Sequence, residues 1–256
     1  MTEAILSIQD LQKNFGGVVA TRDFCLEIEK NQIVGLIGPN GAGKTTIFNI
    51  ITGIYTPSAG TVKFLGNDLV GKKPFQIAQA GIARTFQNIR LFQKLSVLDN
   101  VIMASHKDCT YSVFGAMTHL GAFRKNEKEV RERSMQLLEM VGLQDITDRI
   151  AGGLPYGHQR RLEIARALAI RPKLLLLDEP AAGMNAEESE DLCSFVFDLH
   201  KKFDLTIFLI EHHMDVVMKL CDEITVLNFG QTICQGTPQQ VIADPHVIEA
   251  YLGEEK

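Results

Sequence analysis

Short apolar runs separated by turn residues open the chain: ILSIQDL, the turn FGG, FCLEIE and, after KNQ, IVGLIG. Their spacing predicts two or three short antiparallel strands, with another short run at TVKFLG. From about Val97 to Leu143 the period becomes helical. VRERSMQLLEMVGL puts Met135, Leu138 and Val141 on one face, and Gly142 stands where a helix C-cap belongs. In LPYGHQRRLEIARAL, Leu162, Ala165 and Leu168 recur at i, i+3 and i+6, with Arg160, Arg161, Glu163 and Arg166 mostly between them. After Arg171-Pro172 strands and helices alternate: KLLLLDE, EESEDLCSFVFDLHKK, LTIFLIE, MDVVMKLC and the hairpin-like EITVLNFGQTICQG. A last pair of helices begins at Thr237-Pro238, a cap followed by proline at the first helical position. Continuous apolar strands alternating with helices predict an α/β fold, a parallel sheet covered on both faces. The helical block in the middle of the chain is then an insertion into that core.

Composition narrows the classes. The 256 residues are 45% hydrophobic and 22% charged, with a net charge of −5, so a large core is affordable and a broad nucleic-acid-binding face is not indicated. The apolar runs at 174–177 and 207–210 fall far short of the roughly 18 residues a membrane-spanning helix needs. MTEAILSIQD carries no secretory pattern. Five scattered cysteines (25, 109, 193, 221 and 234) form no CxxC pair, and seven histidines show no metal-ligand spacing. The expectation is a soluble, cytoplasmic protein with reduced thiols.

The chemistry concentrates in three places. Strand IVGLI runs into Gly38-Pro39-Asn40-Gly41-Ala42-Gly43-Lys44-Thr45-Thr46 and then a helix, the phosphate-loop pattern in its strand–loop–helix setting. Its glycines let backbone N–H groups wrap a phosphate at the positive end of the helix; Lys44 reaches the β- and γ-phosphates, and the Thr45 hydroxyl ligates Mg²⁺. Four leucines end in Asp178-Glu179-Pro180, at the carboxyl end of a buried strand where ligands of parallel sheets bind. Asp178 there can hold Mg²⁺ through water, and Glu179 can orient and deprotonate the water that attacks the γ-phosphate. The third place is the start of the helix after Leu154. Pro155-Tyr156-Gly157 offers no capping hydroxyl before His158, which raises the question of what its free amides point towards.

The ordered motifs resemble the ATP-binding cassette (ABC) ATPases, the nucleotide-binding subunits of ABC transporters, over essentially the whole chain. That resemblance implies a P-loop NTPase (RecA-like) parallel-sheet core with an N-terminal antiparallel β subdomain and an inserted α-helical subdomain. One ABC ATPase domain would span 1–256, its core formed by 1–87 and 165–256 and its helical signature subdomain by 88–164. It also implies roles. Phe15 would stack on adenine. Gln87, in ARTFQNIRLF, would contact Mg²⁺ and the attacking water. His212, in LIEHHM, would contact the γ-phosphate, and His213 stands where the family usually has an acidic residue. LPYGHQRRLEIARAL occupies the place of the signature, so Tyr156, Gly157 and His158 would meet the γ-phosphate bound by the other subunit of a head-to-tail dimer. Pro155 replaces the signature serine, Tyr156 its first glycine and His158 its glutamine; Ala182-Gly183-Met184-Asn185 departs from the usual Leu-Asp. Singly, Phe15 could be core, Gln87 a loop residue and His212 a structural histidine; the ordered set decides against that.

The segments LPYGHQRRLEIARAL, DEPAAGMN, RTFQNIRLFQKLSVLDNV and PHVIEAYLGEE are similar to the LivG-type ATPases of bacterial branched-chain amino acid importers. The similarity implies a peripheral subunit at the inner face of the cytoplasmic membrane, using ATP and Mg²⁺. Its partners would be a second, LivF-like ATPase or a second copy of itself, two integral-membrane permease subunits and, indirectly, a periplasmic binding protein, with no nucleic acid. The surface from Gln87 to Asn100 would receive the permease. The alternatives are another amino acid or amide importer, a lipopolysaccharide exporter, or a regulatory nucleotide-binding subunit without turnover.

Overall fold

The computed structural model describes residues 4–105 and 121–252. The chain divides into two compact units, residues 1–87 with 173–256, and residues 88–172.

The first unit carries two sheets among its described residues. Strands β1 (Ala4–Phe15) and β2 (Val18–Glu29) form an antiparallel pair closed at Phe15↔Val18, and β4 (Ala59–Phe64) and β5 (Asn67–Asp68) extend it in the order β2-β1-β4-β5. These two strands are 12 residues each, not the short ones that the pattern predicts. Polar stretches interrupt the alternation because the pairing is bulged. The register shifts between Ile8 and Leu11, and Asp10 (φ 48°) and Asp23 (φ 50°) take left-handed backbone there.

The third predicted strand, β3 (Ile33–Ile37), is not antiparallel and joins the other sheet. With β6 (Ile82–Arg84), β7 (Leu174–Asp178), β8 (Thr206–Ile210), β9 (Glu223–Asn228) and β10 (Gln231–Gly236) it gives the order β10-β9-β3-β8-β7-β6. All of these pairs are parallel except the β9–β10 hairpin, as the sequence predicts. Every residue of β3, β7 and β8 is buried, which is why they read as unbroken apolar runs. Phe48 of the helix Lys44–Ile51 packs on Phe208 of β8 with ring centroids 5.0 Å apart. Leu176, Ile210, Phe24 and Val62 belong to the same core. The helix starting after Thr237 has Pro238 in its first turn, as expected.

The second unit contains, among its described residues, the helices Val97–Ser105, Gly121–Met140 and Tyr156–Ala169 with two short 3₁₀ turns. The expected boundary at 164/165 would cut the last of these helices; the compact unit instead runs through it to Pro172. The long helix buries Val130, Ser134, Leu137 and Leu138, and Val141 just past its end is buried too, whereas Met135 is exposed. These buried positions fall at i, i+4, i+7, i+8 and i+11, four apolar residues and Ser134, and Met135 falls just off that stripe. Gly142 has the expected left-handed φ of 71°, and the N–H of Leu143 bonds back to Leu138 O. Buried Asn100 accepts the N–H of Phe92 and donates to the carbonyls of Phe92 and Ser96, which shapes the loop before its own helix.

Candidate active site

The loop after β3 is shaped by what its neighbours leave no room for. Gly38 has φ 144°, and a Cβ there would lie 1.9 Å from the carbonyl oxygen of Leu227. At Gly43, with φ 105°, a Cβ would lie 2.3 Å from the carbonyl oxygen of Ala20. Only glycine fits these two positions. From the other side, Gly230 of the β9–β10 turn donates its N–H to Ala42 O at 2.9 Å. Lys44 is buried and folds back on its loop, donating to Gly38 O at 2.5 Å and Pro39 O at 2.8 Å. Gly43 caps the helix Lys44–Ile51 without a side-chain bond, so the first amides point into the loop. Pro39 and Ala42 are buried, Asn40, Gly41 and Thr45 are exposed, and Thr46 is half-buried.

Asp178 and Glu179 lie at the same carboxyl edge. Leu36 of β3 and Asp178 of β7 both register with Ile210 of the intervening β8. Two inter-strand spacings of about 4.8 Å put them roughly 10 Å apart across the sheet. Asp178 is buried and its Oδ2 accepts from Arg84 at 2.7 Å. Arg84 also donates to Asn49 at 2.7 Å and to Thr52, and its guanidinium lies over the rings of Phe48 and Phe86. It thus ties β6 and β7 to the helix that follows the phosphate loop.

The Glu179 carboxylate is held from both sides. Gln87 Nε2 donates to Oε2 at 2.6 Å, and His212 Nε2 lies 2.6 Å from Oε1. Three residues from three distant parts of the sequence therefore meet at one carboxylate. Phe15, at the end of β1, is 42% exposed and meets Tyr55 edge to face with centroids 5.1 Å apart; Lys13 Nζ is 4.9 Å from its ring.

Tyr156, Gly157 and His158 belong to the other unit. They form the first turn of the helix Tyr156–Ala169, whose N-cap, Pro155, makes no side-chain cap bond, as the sequence predicts. Arg160, in the predicted polar spacing, is fully buried, with Nη1 2.8 Å from Glu163 Oε2 and Nη2 donating to the Tyr156 hydroxyl at 2.9 Å. Glu163 also accepts the N–H of Arg90, and Arg166 donates to Arg90 O and stacks over Phe92. Burial lowers the Arg166 pKa, and the nearby Glu163 charge partly restores it.

Sequence reasoning missed Arg84, Tyr55, Glu211 and the buried Arg160–Glu163 pair. Glu211 had a visible signal: like Asp178 it is an acid that ends an apolar strand run, and it is buried. The pairing of Arg84 had none, since its partners lie 35 and 94 positions away.

The expected Mg²⁺ ligands Thr45, Asp178 and Gln87 would offer hydroxyl, carboxylate and amide oxygens, a chemistry that suits Mg²⁺ bound jointly with phosphates. Among the described residues no group of three or more His, Cys, Asp or Glu side chains could hold a metal alone, so nucleotide and water oxygens would complete the shell. No helix among the described residues is long and apolar enough to cross a membrane.

A family model described as ABC transporter matches residues 21–182, which include the phosphate loop, Gln87, the helix start at Tyr156 and both carboxylates. The chain belongs to the ABC transporter family. A second model, described as branched-chain amino acid ATP-binding cassette transporter, matches residues 231–256. The chain is 43% identical over 254 residues to the high-affinity branched-chain amino acid transport ATP-binding protein BraF of Pseudomonas aeruginosa, covering 99% of this chain and 100% of that protein. It is also 43% identical to LivG of Escherichia coli with the same coverage, and 33% identical to a probable LivG of Methanocaldococcus jannaschii, covering 99% of both. A solved ATP-binding cassette of an ABC transporter in its ADP conformation superposes with a TM-score of 0.85 at 33% identity, covering 98% of this chain and 100% of that one. ABC cassettes are ATPases, and this one has the nucleotide-binding α/β fold of the family.

Proposed function

We propose that this ATPase drives the uptake of branched-chain amino acids, as one of two cassettes beneath a pair of permease subunits at the inner face of the cytoplasmic membrane. The relatives' names and the match at residues 231–256 support the substrate class. The observation that carries the mechanism is the Glu179 carboxylate between Gln87 and His212.

In this reading the phosphate loop wraps the β-phosphate with the backbone N–H groups of residues 40–46, and Lys44 leaves its loop carbonyls to meet the γ-phosphate. Phe15, supported by Tyr55, stacks on adenine. Mg²⁺, held through Thr45, Asp178 and Gln87, neutralises phosphate charge when bound. Glu179 takes a proton from the water whose oxygen attacks the γ-phosphorus, and the bond to the β,γ-bridging oxygen breaks to leave ADP and phosphate. Gln87 and His212 set the direction of the Glu179 lone pairs, and His212 contacts the γ-phosphate. Arg84 holds Asp178 in a single orientation. Tyr156, Gly157 and His158 present the uncapped helix amides to the γ-phosphate of a second cassette in a head-to-tail dimer, LivF-like or a second copy. The core and the helical unit act together as one ABC domain.

The test is leucine uptake in cells lacking this chain. Wild type should restore uptake; Glu179→Gln should not, while the variant still binds ATP and co-purifies with two permeases and a second ATPase. Restoration by Glu179→Gln would overturn the catalytic assignment. Restored uptake of other solutes with none of leucine would overturn the substrate.

A further inference from the structure

We propose that Glu211 is a positioning residue that locks the Glu179 carboxylate and the His212 ring into register; the inference rests on the roles of Glu179 and His212 proposed above. Glu211 follows β8 directly and is 1% exposed. Its Oε1 accepts the N–H of Ala181 at 2.8 Å, and its Oε2 accepts the N–H groups of His212 at 2.9 Å and His213 at 3.2 Å. One buried carboxylate thereby joins the loop that leaves Glu179 to the loop that carries His212.

The backbone at Glu179 explains why such a strap is needed. Glu179 has φ 47°, left-handed conformation that a side-chain-bearing residue adopts only when its surroundings enforce it, and proline follows it. The Glu179 N–H is used by the sheet, donating to Ile210 O at 2.9 Å, and Pro180 has no N–H to give. Ala181 is therefore the first residue beyond the catalytic carboxylate whose amide can anchor the turn, and Glu211 takes that amide. Its other oxygen fixes the two amides at the start of the histidine loop. The 2.6 Å approach of His212 Nε2 to Glu179 Oε1 then follows from two backbones held by a common group. A carboxylate suits this task because its two oxygens accept in two directions and offer no competing donor.

The isosteric change Glu211→Gln keeps volume and polarity but leaves one oxygen, so one of the two loops must face an NH₂ group instead. The full-length chain labelled with ¹⁵N-histidine reports the His212 ring directly, and His212→Gln assigns its signal. Glu179→Gln removes the ring's carboxylate partner and defines the signal of an unlocked His212. We expect Glu211→Gln to move the His212 Nε2 signal to that unlocked position. In parallel, kcat for Mg-ATP hydrolysis should fall by about 10- to 100-fold, with KM within about twofold of wild type, as expected for misplacement of a catalytic group. A wild-type His212 signal, or an unchanged kcat, overturns the proposal. Should Glu211→Gln not fold, Glu211→Asp carries the same expectations. Its carboxylate is one methylene shorter and cannot reach both loops. Normal hydrolysis by Glu179→Gln would instead refute the catalytic reading, and the histidine signal would still decide whether Glu211 aligns the two loops.

Discussion

Removing the Glu163 charge should unfold the helical unit far more readily than its place on a charged-looking helix suggests. Arg160 is fully buried, Glu163 is 5% exposed, and their Nη1 and Oε2 atoms are 2.8 Å apart. Glu163→Gln leaves the guanidinium buried without its counter-charge. Losing one partner of a buried pair costs about 3–5 kcal/mol, because desolvation of the remaining charge is no longer offset. At roughly 2–4 °C per kcal/mol for a chain of this size, the transition should fall by about 6–20 °C. The control is Lys125→Ala. Its pair with Glu129 spans 4.0 Å with both side chains largely in water, so about 0.3–0.5 kcal/mol is at stake. The chain has no tryptophan, so a single Trp at exposed Ile150 reports the helical unit by fluorescence during urea and thermal unfolding. The double variant Arg160→Met/Glu163→Leu should recover most of the loss, since an apolar pair of similar volume needs no charge compensation. A loss below about 1 kcal/mol for Glu163→Gln, comparable with an exposed pair, would refute the reasoning.

The buried Arg84–Asp178 pair predicts the same asymmetry in the core. Arg84→Met should cost about 3–5 kcal/mol by urea unfolding and Asp178→Asn should restore part of it; additive losses would contradict a charge-compensation role. Gly38→Ala should abolish nucleotide binding and cost roughly 1–3 kcal/mol, because the added Cβ would sit 1.9 Å from Leu227 O. A wild-type ATP titration would show that the loop adapts. Burial, above all, and nearby Asp222 push the Cys221 thiol well above its ordinary value, so it stays protonated at pH 8. In a Cys109→Ser background, Ellman's reagent should modify exposed Cys25 on mixing and Cys221 only at the rate of unfolding; equal rates would refute that burial.

Much of the catalytic edge is legible locally. The phosphate loop, Asp178-Glu179 and the uncapped start at Tyr156 are contiguous stretches whose chemistry needs only nearest neighbours. Unbroken apolar runs give the strands β3, β7 and β8 away because burial on both faces removes polar alternation. The long bulged strands β1 and β2 were less visible, since Asp10 and Asp23 break the alternation while the pairing absorbs them.

By itself, then, the sequence determined the α/β class, the glycine-rich loop and the acidic strand end through short-range periodicity and steric rules, and the order of motifs through its resemblance to a family. Tertiary structure alone decided which distant side chains become partners. Gln87, Glu179 and His212 meet because parallel strands bring separated loops to one edge. Arg160 and Glu163 left the polar face they occupy on paper because the folded chain buries them and pairs them with each other, with Tyr156 and with the Arg90 amide. Glu211 shows the limit most clearly. An acid after FLI is plain in the sequence, but the three amides that surround it exist only once two loops have folded against each other.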